Sequence, residues 1–194
     1  YNSLAVVNNN LDIISSYNKN KLVPFGEFLP LENFLRNVGV KTITNYYNSY
    51  SKGKKRDIVD LKNQEFDISF LPLICYEIIY SGNLSKKQNY DLIINISEDG
   101  WFGNTIGPDQ HFTKSVFRAI ENDTFLLRSA NKGISAIIDN KGKIIKRLKR
   151  NEAGNIEFKV PLIKSKKTKN DLIFFVLLIT YLSIFLIYQK KNAR

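Results

Sequence analysis

Apolar residues along the chain fall into short runs set between polar segments that carry Gly and Pro, and most of the runs have the length of strands. "SLAVVNN" (3–9) and "FDISFLPLICYE" (66–77) are apolar or half-alternating stretches of strand type. "YDLIINIS" (90–97) is a β-branched run of the kind found in a strand covered on both faces. "TFLLRSA" (124–130), "ISAIID" (134–139), "KIIKRL" (143–148) and "GNIEFKVPL" (154–162) continue the series of expected strands. Asp139–Asn140–Lys141–Gly142 supplies a turn within it, with Gly142 free to take a positive φ. One segment changes period. "GPDQHFTKSVFRAIEND" (107–123) opens on Pro108 and Asp109 and spaces Phe112, Val116 and Ile120 for one face of a helix. The pattern predicts a mixed α/β layered domain over residues 1–163.

A different kind of apolar segment closes the chain. "LIFFVLLITYLSIFLIY" (172–188) is free of charge and, at ~1.5 Å per residue, spans roughly 26 Å as a helix. Lys169 and Lys190 flank it, and Tyr181 and Tyr188 offer an interfacial anchor. A core helix is rarely apolar all round, so a transmembrane helix is expected here. A basic linker (164–171) precedes it and a basic tail (189–194) follows. Lysines lie on both sides, so charge alone does not orient the span.

Composition narrows the function classes. The 194 residues suffice for a real core, yet methionine is absent and Tyr1 already lies in a strand-like run. The chain is therefore expected to be the C-terminal piece of a longer protein. A single cysteine and a single histidine exclude an internal disulfide and make a His/Cys metal site improbable, and neither metal nor cofactor is expected. The net charge of +11 raises the question of nucleic acid. The lysines are scattered, however, and "KKR" (54–56) and "KSKKTK" (164–169) are short loop clusters, so no nucleic-acid partner is expected.

Three stretches could carry chemistry. Cys75 ends the strand-like run at 66–77, where α/β folds place reactive groups and a strand-to-turn elbow exposes a nucleophile to backbone N–H groups. The bland alternative is a small buried hydrophobe. "YNKNKLVPFGEFLPLE" (17–32) reads as a long structured loop in which Lys19, Lys21 and Glu27 are ionisable. Lys19 is either a solvated loop lysine or a fixed cation for a developing oxyanion. "NISEDGWFGNTIGPDQH" (95–111) holds the only tryptophan, Trp101, which either packs to close the loop or lines a pocket. His111, on the helix, is expected to be structural.

Taken in series, these stretches resemble the apolipoprotein N-acyltransferase family, a membrane-anchored branch of the nitrilase superfamily. "YNKNKLVPFGEFLPLE" is similar to that family's lysine loop, "LICYE" to its nucleophile elbow, and "NISEDGWFGNTIGPDQHF", "RAIEND", "LLRSANKGISAIID" and the terminal apolar helix to the rest in order. The resemblance covers essentially the whole chain. It implies part of a nitrilase-like α-β-β-α sandwich, followed by one C-terminal transmembrane helix.

The resemblance further implies that Cys75 becomes a fatty-acyl thioester and that Lys19 stabilises the tetrahedral oxyanion. Glu27 would be a supporting carboxylate, while Tyr76, Glu77 and Trp101 would shape the pocket. The family's general base is a glutamate that would lie before Tyr1, so the piece by itself would be inactive. The acyl donor would be a phospholipid and the acceptor an apolipoprotein. The catalytic domain would face the periplasm from the inner membrane, with the tail in the cytoplasm. The same triad could instead serve a soluble-substrate amidase, and an anchored binding module with an inert Cys75 is the third reading. Two positions depart from the family: Lys21 stands where histidine is frequent and Glu98 where asparagine is frequent.

Overall fold

The computed structural model describes residues 1–31, 49–54, 57–62, 67–82, 89–162 and 171–192, with positions 34, 37, 39 and 84. The expected linker, 164–171, and the end of the tail, 193–194, fall almost wholly outside these residues, as does most of "KKR". The strands are β1 (Ser3–Val7), β2 (Ile13–Asn18), β3 (Val59–Lys62), β4 (Asp67–Ile74), β5 (Leu92–Glu98), β6 (Phe125–Asn131), β7 (Ser135–Ile138) and β8 (Ile144–Leu148). The helices are α1 (Gly107–Glu121) and α2 (Asp171–Asn192).

Strands β3 to β8 form one sheet in chain order, in which β4, β5 and β6 run parallel and the flanking pairs antiparallel. The parallel centre is where the sequence is most continuously apolar, because both faces are covered. On one face Phe112 and Ala119 of α1 pack against Leu71, Leu73, Ile93, Leu126 and Ile138. On the other, Phe70, Ile74, Leu92 and Phe125 form a second cluster that Leu4 and Tyr17 of the antiparallel β1–β2 ribbon join. Helix, large sheet and ribbon thus supply three consecutive layers of the expected nitrilase-like sandwich. The 139–142 turn forms as expected, with the Gly142 N–H donating to Asp139 O and Gly142 at φ +81°.

Two strands were not foreseen and one expected strand is absent. β2 and β3 mix polar residues into short runs, and only β1 and β4 opposite them make ladders of them. Residues 154–162 join no ladder. Their alternation has another cause: Ile156 and Val160 pack on the second cluster and the Phe158 ring stacks on Phe125 at 6.5 Å. α2 encloses the expected span, and Leu172–Lys190 is long and apolar enough to cross a membrane, with none of it buried.

Candidate active site

The carboxyl ends of the parallel strands β4 and β5 meet at a cavity of about 540 Å³. β4 stops at Ile74, and the chain turns through a one-turn 3-10 helix, Cys75–Ile79, with Cys75 at φ +50°. That left-handed conformation is unfavourable for a residue with a Cβ and recurs where structure holds a side chain for function. Cys75 is a free, half-buried thiol on the cavity wall, beside Tyr76.

Glu77 holds the elbow. It has no solvent exposure, and its carboxylate accepts the Ile74 N–H at 3.0 Å, closing the start of the turn. It also accepts the Tyr17 hydroxyl at 2.9 and 3.1 Å and the backbone N–H groups of Asn20 (3.1 Å) and Lys21 (2.9 Å). One carboxylate therefore ties the cysteine turn to the loop on either side of Lys19. Tyr76 lines the cavity, whereas Glu77 is not part of its wall and acts on it through the elbow.

Lys19 is not a solvated loop lysine. Its side chain is fully out of solvent, and its amine donates to Glu27 Oε1 at 2.9 Å and lies 2.8 Å from Oε2. The backbone fixes it too: its N–H donates to Asn2 O and its carbonyl accepts the Gly53 N–H, both at 2.8 Å. Glu27 completes its shell with Asn2 Nδ2 at 2.7 Å and the Val23 N–H at 2.9 Å. Lys19 and Glu27 line the same cavity as Cys75. The amine is thus held in one place, as a group acting on a developing negative charge requires.

Opposite stands the tryptophan loop, a 3-10 turn over Asp99–Phe102. Trp101 is 57% exposed and lines the cavity with Phe102, so it does not pack to close the loop. Asp99 anchors the turn from behind. Its Oδ1 accepts the Ser97 hydroxyl at 2.7 Å and pairs with His111 Nδ1 at 2.9 Å, and its Oδ2 accepts Arg128 Nη2 at 2.7 Å. Arg128 also donates to Asn95 Oδ1 and, through Nε, to Ile134 O at 3.2 Å. Burial pushes the Asp99 carboxyl up, but the His111 bond and the Arg128 charge outweigh it and hold the group below the usual carboxylate range. Burial pulls the Arg128 guanidinium down against the Asp99 and Cys75 charges. His111 is buried, as its expected structural role requires, and its ring meets Phe102 at 5.4 Å and Tyr76 at 6.3 Å.

The sequence assigns no role to Asn95, Asp99 or Arg128, although the first two lie in the 95–111 stretch with Trp101 and the third in "LLRSANKGISAIID". No group of three or more His, Cys, Asp or Glu side chains suited to a metal ion occurs among the described residues.

The chain is similar to known proteins in sequence and in fold. The apolipoprotein N-acyltransferase of Rhizobium rhizogenes is 38% identical over 158 residues, 81% of this chain and 29% of the relative. That of Brucella melitensis is 38% identical over 162 residues, covering 83% and 30%. The chain thus spans about 30% of the length of these curated relatives. In fold it resembles an amidase from Nesterenkonia sp., at a TM-score of 0.51 and 15% identity over 77% of this chain and 51% of that one. Residues 1–170 match the carbon-nitrogen hydrolase profile, from the ribbon through the cysteine elbow to the last strand, and the chain belongs to the carbon-nitrogen hydrolase family.

Proposed function

We propose that the chain is the acyl-transferring part of an apolipoprotein N-acyltransferase, working by two successive displacements on Cys75. The proton of the thiol passes to a carboxylate base, proposed on the family resemblance to be a glutamate of the full protein. The sulfur then adds to the ester carbonyl of a phospholipid, and the oxyanion forms against the Lys19 ammonium. Collapse breaks the ester C–O bond. The lysophospholipid leaves with the proton from the base, and Cys75 carries the acyl group as a thioester. In the second half the N-terminal amine of a lipid-modified apolipoprotein gives a proton to the base and attacks the thioester. The C–S bond breaks, an amide forms, and the thiol is restored.

The observation that carries this reading is that the amine of Lys19, immobilised by Glu27, and the free thiol of Cys75 reach one cavity through segments that Glu77 joins. Identity of about 38% to proteins named for this activity supports the substrate class. α2 supports the site of action. It is apolar on every side with none of the span buried, which suits hydrocarbon rather than water and would hold the cavity near lipid-anchored substrates. The proposed setting is the bacterial inner membrane, with the α/β domain on the periplasmic side and the tail in the cytoplasm.

The test uses the full natural protein in vesicles of phospholipid labelled in its acyl chain. Labelled acyl mass on Cys75, discharged by a lipopeptide with a free N-terminal amine, is the expected result. A Cys75 that gains no acyl group in the presence of phospholipid ends the acyltransferase reading. Ammonia release from small amides in its place would identify a nitrilase-type amidase, with water as the second nucleophile.

A further inference from the structure

Among the described residues, the charges on the cavity wall do not cancel. Lys19 and Glu27 lie there as a closed ion pair and neutralise each other. Glu98 is a further carboxylate on the same wall. Its Oε1 accepts the Gly100 N–H at 2.8 Å and its Oε2 accepts Asn131 Nδ2 at 2.6 Å, both neutral donors. The stem of Lys132 runs past Gly100, yet among the described residues no cation forms an ion pair with Glu98. The side chain is exposed, so its field reaches whatever enters the cavity.

Nothing in the local structure requires that charge. A neutral amide at this position, the residue type the family resemblance leads one to expect, would accept from Gly100 N–H through its oxygen and donate through its nitrogen to an Asn131 amide turned the other way. A carboxylate that caps a turn, lines the nucleophile's cavity and has no cation of its own is a binding group for a cation brought by the substrate.

We propose that Glu98 is an ammonium-binding subsite of the cavity, an assignment that rests on the acyl-transfer reading above. In that reaction an ammonium comes from two sources, the protonated N-terminus of the acceptor and an ethanolamine-type headgroup on the donor. An acceptor captured as its ammonium attacks only after passing a proton to the base, so Glu98 acts on capture and not on bond making.

Glu98→Gln in the full natural protein separates these sources, because it keeps the side chain's length and an acceptor for the Gly100 N–H and removes the charge, with the Asn131 amide turned to present its oxygen to the new Nε2. If the acceptor amine is bound, KM for a lipopeptide acceptor rises about threefold to fivefold with kcat retained, the size of an exposed ion pair. The difference shrinks at high ionic strength. If the headgroup is bound, thioester formation from phosphatidylethanolamine slows relative to phosphatidylglycerol. Independently of turnover, butylammonium slows alkylation of Cys75 by iodoacetamide in the wild type more than in Glu98→Gln, while butanol does not distinguish them. Identical acceptor KM, headgroup preference and protection in the two proteins overturn the subsite. A wild-type protein that transfers no acyl group overturns the acyltransferase reading instead, and the protection experiment alone then decides on Glu98.

Discussion

Asp99 and Arg128 form a 2.7 Å ion pair with both side chains wholly out of solvent, behind the loop that carries Trp101. Two buried charges persist only where every remaining donor and acceptor is engaged. Ser97 and His111 engage the carboxylate, and Asn95 and Ile134 engage the guanidinium. Asp99→Ala leaves the Arg128 charge buried without its counter-charge and is expected to destabilise by about 3–5 kcal/mol, measured by denaturant unfolding. The same pair sets an acid limit. The Asp99 carboxyl is held below its ordinary value of 3.8, so its contribution is complete above that pH and is lost as pH falls through the lower value of the folded state. Unfolding midpoints followed from pH 6 to pH 2 therefore drop in the wild type, and the part due to Asp99 is absent from the profile of the Asp99→Ala variant.

Glu77 is expected to be more damaging to activity than its position outside the cavity suggests. Glu77→Ala removes at once the carboxylate to which the Ile74, Asn20 and Lys21 N–H groups and the Tyr17 hydroxyl donate. Cys75 and Lys19 then lose the tie that sets their separation. Tyr17→Phe removes only the hydroxyl from the same hub, leaving the Ile74, Asn20 and Lys21 N–H bonds to Glu77, and should cost about 1 kcal/mol, with most of the acylation rate retained. If the two variants acylate Cys75 equally fast, the coupling of elbow to lysine loop through Glu77 is wrong.

Gly53 closes against the same loop. Its N–H donates to Lys19 O, and a Cβ added there would fall on the backbone carbonyl of Asn18, an atom that cannot swing away as a side chain can. Gly53→Ala is expected to lower the unfolding midpoint and to slow acylation, because the strand end that leads to Lys19 must shift. Gly82→Ala serves as the control. Among the described residues no atom crowds its Cβ, so the strain of its φ of +80° is what remains.

What the sequence disclosed follows from how local each determinant is. β4 to β7 and α1 could be read because their apolar spacing is itself the reason they are buried, and β8 because Ile144 and Ile145 pack, partly buried, against the two clusters. The elbow could be placed because a lone cysteine ends the most apolar strand. Lys19 was taken to be solvated if not catalytic, since a lysine among asparagines gives no sign that Glu27 and Asn2 will enclose it. Glu77 accepts from groups 56 to 60 residues away, and Asp99 from one 29 residues away, so no local pattern announces either hub. The stretch 154–162 shows the opposite failure. Its alternation was real but served packing on Phe125 and not a ladder.

Cys75 carries a backbone strain that can be separated from its chemistry. At φ +50° a side chain with a Cβ is unfavourable and glycine is not. Cys75→Ala removes the sulfur and keeps the strain, whereas Cys75→Gly removes both. The glycine variant is therefore expected to be the more stable of the two by about 0.5–1 kcal/mol, offset in part by the greater freedom of glycine in the unfolded chain. Neither variant should form an acyl adduct. The comparison is informative because the strain is maintained by Glu77, which holds Ile74 N–H just before the strained residue. In a Glu77→Ala background the elbow can relax, and the stability gap between alanine and glycine at 75 should narrow. A double-mutant cycle on unfolding free energies measures that coupling. An unchanged gap would mean that the elbow holds its shape without Glu77.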